Sequence, residues 1–189
     1  MIQKFIHPTA IIEDGAIIGE GTKVWHWVHV MANAQIGEKC VLGQNVFVGR
    51  AILGNNVRVQ NNVSIYDAVI LEDDVFCGPS MVFTNVINPR SHVERKNEYK
   101  KTVVRKGASI GANATIICGN EIGKYAFIGA GSVITKPVLD YALMVGNPAK
   151  QIGWVSKAGN RLHFNASGTA ICSDTKEMYL LKENQVSKV

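Results

Sequence analysis

The stretch Val24-Trp-His-Trp-Val-His-Val30-Met-Ala-Asn-Ala-Gln-Ile36-Gly-Glu-Lys-Cys-Val-Leu42-Gly-Gln-Asn-Val-Phe-Val48 sets an aliphatic residue at every sixth position. That beat fits neither the helical period of about 3.6 nor the strict alternation of an ordinary strand. Working outward, it reaches back through Ile18, Ile12 and Ile6 in one register. Beyond Val48 it slips by one residue and continues as Leu53, Val59, Ile65, Leu71, Cys77 and Phe83. After an interruption, Val104, Ile110, Ile116, Ile122, Ile128 and Ile134 take it up again. Units this short bury nothing alone, so they must stack on one another.

Four places after the aliphatic residue there usually stands a small or β-branched one, as at Thr22, Ala34, Cys40, Val46, Val57, Ala114 and Ser132. Glycine often follows the aliphatic residue, and runs such as Gly54-Asn-Asn and Gln60-Asn-Asn fill the remaining places. One large and one small inward residue per six suit a short strand and a tight bend, and glycine and asparagine accept the positive φ that such bends demand. Stacked asparagines can also hydrogen-bond from coil to coil. Three flat faces then close a triangular coil of about 18 residues, stacked at roughly 4.8 Å.

The chain has 189 residues, 47% of them hydrophobic and 19% charged, which suits an ordered domain with an appendage and excludes a disordered chain. Residues 1–8 do not resemble a signal peptide, and no stretch approaches the roughly 20 apolar residues of a membrane span. Cys40, Cys77, Cys118 and Cys172 are widely separated, without metal-ligand or disulfide spacing; Cys40 and Cys77 fall on repeat positions and are expected as buried free thiols, and a reducing cytoplasm fits. The net charge is +5. Residues 84–106 hold seven basic and two acidic side chains, so this one segment carries all of it. A single basic segment, without an aromatic platform or a stripe along the repeats, favours a compact anionic ligand over nucleic acid.

The interruption, residues 84–103, is long for a regular solenoid and is expected to project as a functional loop. The register ends at Lys136-Pro137, and Val145-Gly-Asn-Pro-Ala-Lys150 follows. In residues 151–189, Arg161-Leu-His-Phe, a turn at Asn165-Ala-Ser-Gly168, Thr169-Ala-Ile-Cys172 and Glu177-Met-Tyr-Leu-Leu predict a small antiparallel hairpin or three-stranded cap over an otherwise open end.

Over roughly residues 6–150 the hexad resembles the left-handed parallel β-helix of bacterial hexapeptide-repeat transferases, an all-β fold. The resemblance divides the chain into a β-helix domain, 1–150, with its protruding loop, and the cap. It implies transfer of an acetyl group from acetyl-CoA, with no metal. It assigns Lys136, Asn147, Pro148, Lys150, Ala112 and Ala130 to coenzyme A, the lysines acting as mobile charges near the phosphates. The segment Phe83-Thr-Asn85-Val-Ile-Asn-Pro89-Arg90-Ser, with Glu98-Tyr99 and Thr102, resembles bacterial sugar-nucleotide 3-N-acetyltransferases. Gly153-Trp-Val-Ser156 and Arg161-Leu162 add to that likeness. The nearest match is the group acting on a UDP-linked 2-acetamido-3-amino-uronic acid for surface polysaccharide; a dTDP-linked 3-amino-deoxyhexose is the alternative. The resemblance implies a homotrimer with sites between subunits, a partner set of UDP-amino sugar and coenzyme A, and Asn85 against the amine.

Chemistry makes an asparagine sensible there. A neutral sugar amine is already nucleophilic and needs orientation rather than a base; an amide oxygen can accept its N–H. Arg90 could pair with a carboxylate or phosphate, and Gln60, Asn61 and Tyr66, about one coil earlier, could approach Asn85. An O-acetyltransferase would instead need a base, usually histidine. His26 and His29 are candidates to line a substrate surface, and His92 lies in the loop. A γ-type carbonic anhydrase would need three histidines on zinc, and their spacing here does not supply them.

Overall fold

Each hexad aliphatic is the last residue of a two- or three-residue strand and points into the stack, so the beat is the core itself. From Val24 to Ile134 every one of them is buried, as are the small partners Thr22, Ala34, Cys40, Val46, Val57, Ala114 and Ser132. The computed structural model describes residues 3–189; Met1 and Ile2, with which the β-helix domain was set to begin, lie outside the described residues.

Three parallel sheets form the three faces of the solenoid. The first face takes Phe5–Ile6, Lys23–Val24, Val41–Leu42, Arg58–Val59, Phe76–Cys77, Ser109–Ile110 and Phe127–Ile128. The second takes Ile11–Ile12, His29–Val30, Phe47–Val48, Ser64–Ile65, Val82–Phe83, Thr115–Ile116 and Val133–Ile134. The third takes Ile17–Ile18, Gln35–Ile36, Ile52–Leu53, Val69–Leu71, Thr102–Val104 and Glu121–Ile122. Coils stack in register, Lys23 opposite Val41 and Val24 opposite Leu42. The slip after Val48 is a bend shortened by one residue: Ala51 N donates to Gly49 O at 2.7 Å, and Gln35 pairs with Ile52. At the first coil no described residue covers the stack, and Ile6 is 42% exposed.

The bends divide their work differently from the expectation. Positive φ falls on the third residue after the aliphatic one, often asparagine, as at Asn33, Asn45, Asn56, Asn62 and Asn113. The glycine directly after the aliphatic serves closeness instead. At Gly43 an added Cβ would come within 2.5 Å of Asn61 Oδ1, and that oxygen accepts Gln44 N at 2.9 Å. Asn55 serves Glu38 N and Asp67 serves Arg50 N in the same way. The expected asparagine stacking is present as well: Asn45 Nδ2 donates to Asn62 Oδ1 at 3.2 Å. A side chain from one coil thus satisfies the backbone of the coil below, where no strand ladder reaches.

After Ile134 the chain crosses Lys136-Pro137, and Val138 adds a bridge beside Ile122 on the third face. Ala142–Gly146 then extends the first face and turns back as Ala149–Val155. Arg161–Leu162 pairs with Val155 and Trp154, so it belongs to this large sheet and not to the cap hairpin predicted for it. The cap sheet is Thr169–Ile171, Met178–Lys182 and Gln185–Lys188, its last strand unforeseen because its turn is Glu183-Asn184 rather than a glycine. Tyr179 anchors it: buried, edge-on to Tyr141 at 5.7 Å, accepting Lys157 N and donating to Glu177. No helix among the described residues is long and apolar enough to cross a membrane.

Candidate active site

The second-face strand Val82–Phe83 ends where the loop begins, at the corner between the second and third faces. Thr84 still follows the coil, its N donating to Ile116 O and its Oγ1 accepting Cys118 N at 2.9 Å. Asn85 is the first residue to leave. Its carbonyl accepts Lys100 N at 2.9 Å, which clamps the loop shut at its base. Strand Thr102–Val104 resumes on the third face beside Val69–Leu71, so it already contains the last two residues of the 84–103 segment. Inside the loop, an Arg90–Val93 bridge and a short 3-10 turn at Lys96–Glu98 give shape, and Arg95 grips Glu98 with two contacts of 2.8 Å.

Asn85 is half-buried and lines two adjoining hollows. One, of about 490 Å³, is walled by Tyr66, Val82, Ile87, Pro89 and Ile117. The other, of about 210 Å³, is lined by Arg90, Arg95, Lys96 and Tyr99. The structure therefore brings Asn85, Tyr66 and Arg90 together. Arg90 is exposed and its guanidinium contacts only Pro89 O, at 3.4 Å, among the described residues. His92 lines neither hollow.

Gln60 and Asn61 lie elsewhere, at the corner between the first and second faces, in a hollow of about 260 Å³ with Trp25, His26 and Gln44. The Asn61 oxygen is already committed to the coil below. Within one chain these two do not meet Asn85. His26 stacks on His7 and flanks Trp25 and Trp27 in that same corner.

Lys136, Pro148 and Lys150 converge with Ile134, Thr135, Met144 and Gln151 on a third groove of about 310 Å³. Asn147 is exposed beside it without lining it. Thr135 and Lys136 stand on the corner of Thr84 and Asn85, two coils further on, or about 10 Å at the usual strand spacing. Ala112 and Ala130 stack at the first–second corner, where Gly131 N donates to Ala112 O at 2.8 Å. Among the described residues no group of three His, Cys, Asp or Glu side chains could hold a metal.

His29, already a candidate from the sequence, has two partners the sequence did not single out: Phe47, edge-on to its ring, and Glu13, whose Oε1 lies 2.7 Å from His29 Nε2. Glu13 Oε2 also accepts Ala32 N, and these bonds, the backbone one first, hold the carboxyl below its ordinary value of 4.5. The signal was available: His29 and Phe47 each precede a hexad aliphatic and are one coil apart.

Two family models match: "Bacterial transferase hexapeptide (six repeats)" over residues 15–50, and "Hexapeptide repeat of succinyl-transferase" over 34–67 and 103–136. The chain is 45% identical over 168 residues, 89% of its length and 86% of the relative's, to dTDP-3-amino-3,6-dideoxy-alpha-D-galactopyranose 3-N-acetyltransferase of Aneurinibacillus thermoaerophilus. Among solved structures it is similar to a hexapeptide-repeat acetyltransferase of Vibrio cholerae complexed with acetyl-CoA (TM-score 0.55, 23% identity, 62% of this chain and 69% of that one). It is also similar to the acetyltransferase domain of PglB from Neisseria gonorrhoeae with acetyl-CoA (TM-score 0.50, 22% identity, 80% and 58%). At such identities the likeness is one of fold.

Proposed function

Since the chain belongs to the hexapeptide-repeat sugar N-acetyltransferases, an acyltransferase family of left-handed parallel β-helices, we propose that it acetylates the 3-amino group of a dTDP-linked 3-amino-deoxyhexose, using acetyl-CoA. The observation that carries this reading is the 45% identity, over 89% of the chain, to an enzyme named for that acceptor. It replaces the UDP-linked uronic acid of the sequence reading, which has no comparable support; the alternative acceptor considered there is the better one.

In this reading Asn85 meets the amine. Its amide oxygen accepts one N–H and aims the nitrogen lone pair at the thioester carbonyl, which supplies orientation without a base. The C–N bond forms and gives a tetrahedral oxyanion, for which a backbone N–H at the coil bend is a suitable donor. As the intermediate collapses, the C–S bond breaks. The departing thiolate, whose conjugate acid has a pKa of about 8.5, takes the proton that nitrogen loses. Products are the acetamido sugar and the free thiol. Lys136 and Lys150 receive the coenzyme's phosphates, with Pro148 beside them and Asn147, Ala112 and Ala130 as further contacts.

A homotrimer belongs to the same proposal. Gln60 and Asn61, which do not reach Asn85 in their own chain, would then face a neighbour's site. The test is thiol release with mass analysis of the product over dTDP-3-amino-3,6-dideoxyhexoses and UDP-2-acetamido-3-amino-uronate. Acetylation of a dTDP sugar at least tenfold faster, by kcat/KM, supports the reading. Preference for the uronate overturns the acceptor, and absence of turnover on every amino sugar overturns the function.

A further inference from the structure

The outward column of the second face changes character along its length. Ile11, His29, Phe47, Ser64, Val82, Thr115 and Val133 occupy it in order. His29 meets the Phe47 ring edge-on at 5.6 Å, and Tyr66 leans back over Phe47 at 6.0 Å. Ser64, the smallest side chain of the column, leaves a step between Phe47 and Val82, and Tyr66 with Val82 opens directly into the Asn85 hollow. Two details look built rather than incidental. Glu13 holds His29 by Nε2 at 2.7 Å while its other oxygen is tied to Ala32 N, so the imidazole is fixed at the ladder's end. Arg50, on the corner of the Phe47 coil, is held by Asp67 yet 66% exposed.

The geometry points to this ladder as the seat of the acceptor's nucleoside diphosphate. The base lies against Phe47 with His29 at its edge, the diphosphate crosses the Ser64 step within reach of Arg50, and the sugar rises past Tyr66 to Asn85. Phe47 and Val82 are two coils apart, or about 10 Å along the stack, and Asn85 stands three residues beyond Val82; a pentose and two phosphates cover the rise, and the sugar covers the step to the corner. Flat π faces accept a stacked base at little cost in ordering, and an exposed guanidinium suits a diphosphate. The coenzyme groove at Lys136 and Lys150 lies on the opposite side of Asn85 along the same edge. The two cosubstrates therefore approach one amide from opposite ends. The assignment rests on the sugar-nucleotide reading above, but it concerns binding and can be measured without turnover.

The experiment is calorimetric titration of dTDP, UDP and GDP, and separately of coenzyme A, into the parent protein, Phe47→Ala, Phe47→Leu and Phe76→Ala. Phe76 is an outward aromatic of the first face and serves as a control. At least one nucleoside diphosphate is expected to bind the parent. Both Phe47 variants should weaken it by about tenfold or more, as loss of a base–aromatic stack implies. Coenzyme A affinity should stay within about twofold, and Phe76→Ala should match the parent. The proposal is overturned if no nucleoside diphosphate binds the parent, if Phe47→Ala binds as the parent does, or if it loses both ligands together with its oligomeric state. If the stack is present but no amino sugar is acetylated, the proposed function falls and this site stands. If an amino sugar is acetylated and Phe47 proves indifferent, the reverse holds.

Discussion

The position of Asn85 was legible because it stands where the register fails, between a strand that keeps the beat and a loop that abandons it. The loop's base then confirms how firmly it is set: its backbone is clamped by Lys100 N, and Thr84 before it still follows the coil. With the side chain positioning an amine, Asn85→Ala should lower kcat by about 10²-fold, the scale of a misplaced reacting group, and leave coenzyme A affinity nearly unchanged. His92→Ala should change kcat less than about threefold, because His92 lines neither hollow. Steady-state kinetics and calorimetry check both; abolished activity in His92→Ala would require a base mechanism. Gln60 and Asn61 fall away from Asn85 within their own chain for a simple reason. Asn61 precedes Asn85 by 24 residues, one coil plus one further face, so it reaches the next corner instead of the same one. A different residue-scale prediction concerns Gly43, where a methyl group would collide with Asn61 Oδ1. Gly43→Ala should cost about 1–3 kcal/mol by overpacking, read as a lower melting temperature at unchanged coenzyme affinity.

At the scale of elements, the third face carries its own fastening just past the loop. Arg105 bonds Glu121 through Nε and Nη2 and Glu72 through Nη1, each at 2.8 Å, joining three successive coils. Glu121 is held below its ordinary value of 4.5 by the Arg105 hydrogen bonds. Desolvation works against the Glu72 carboxylate, yet Arg105 and Lys106 N still draw it below 4.5. Both groups are more acidic folded than unfolded. Their contribution is therefore complete above about 4.5 and is lost as pH falls through their lower folded values. Thermal melts should find Arg105→Gln a few degrees less stable near neutral pH, with the gap to the parent closing as the medium is acidified below 4.5. A gap that widened in acid would assign the stabilisation to other groups. None of this was legible beforehand, since Glu72 and Arg105 lie 33 residues apart across the loop. The cap was legible only in part. Its turn at Asn165-Ala-Ser-Gly168 is present, with Asn165 Oδ1 accepting Thr169 N. Arg161–Leu162 went to the larger sheet because Trp154 and Val155 offered it an open strand edge first.

Across the whole molecule, a period of six with alternating large and small inward residues left one architecture, and the structure has it from Phe5 to Ile134. The acceptor was not readable in the same way. A repeat fixes which side chains point in, whereas nucleotide and sugar are chosen by the few that point out at one corner, and those obey no period. The likeness of the Phe83–Ser91 segment and the tail drew the reading toward a uronate, with Arg90 as partner for its carboxylate, and no period in the chain could test that choice. The unshared corner holding Trp25, His26, Gln60 and Asn61 suits contact with a second copy. Sedimentation should accordingly give three times the chain mass of 20.6 kDa, and a monomer active at full rate would remove the shared-site proposal.

The central claim is that chemistry occurs where the six-residue beat breaks, at the Asn85 corner, and a crystal structure with coenzyme A and a dTDP-3-amino-3,6-dideoxyhexose tests it most directly. The account predicts the sugar amine at about 3 Å from Asn85 Oδ1 and the coenzyme running toward Lys136 and Lys150. An amine seated against Trp25 and His26, with the Asn85 amides of all copies facing solvent, would contradict it.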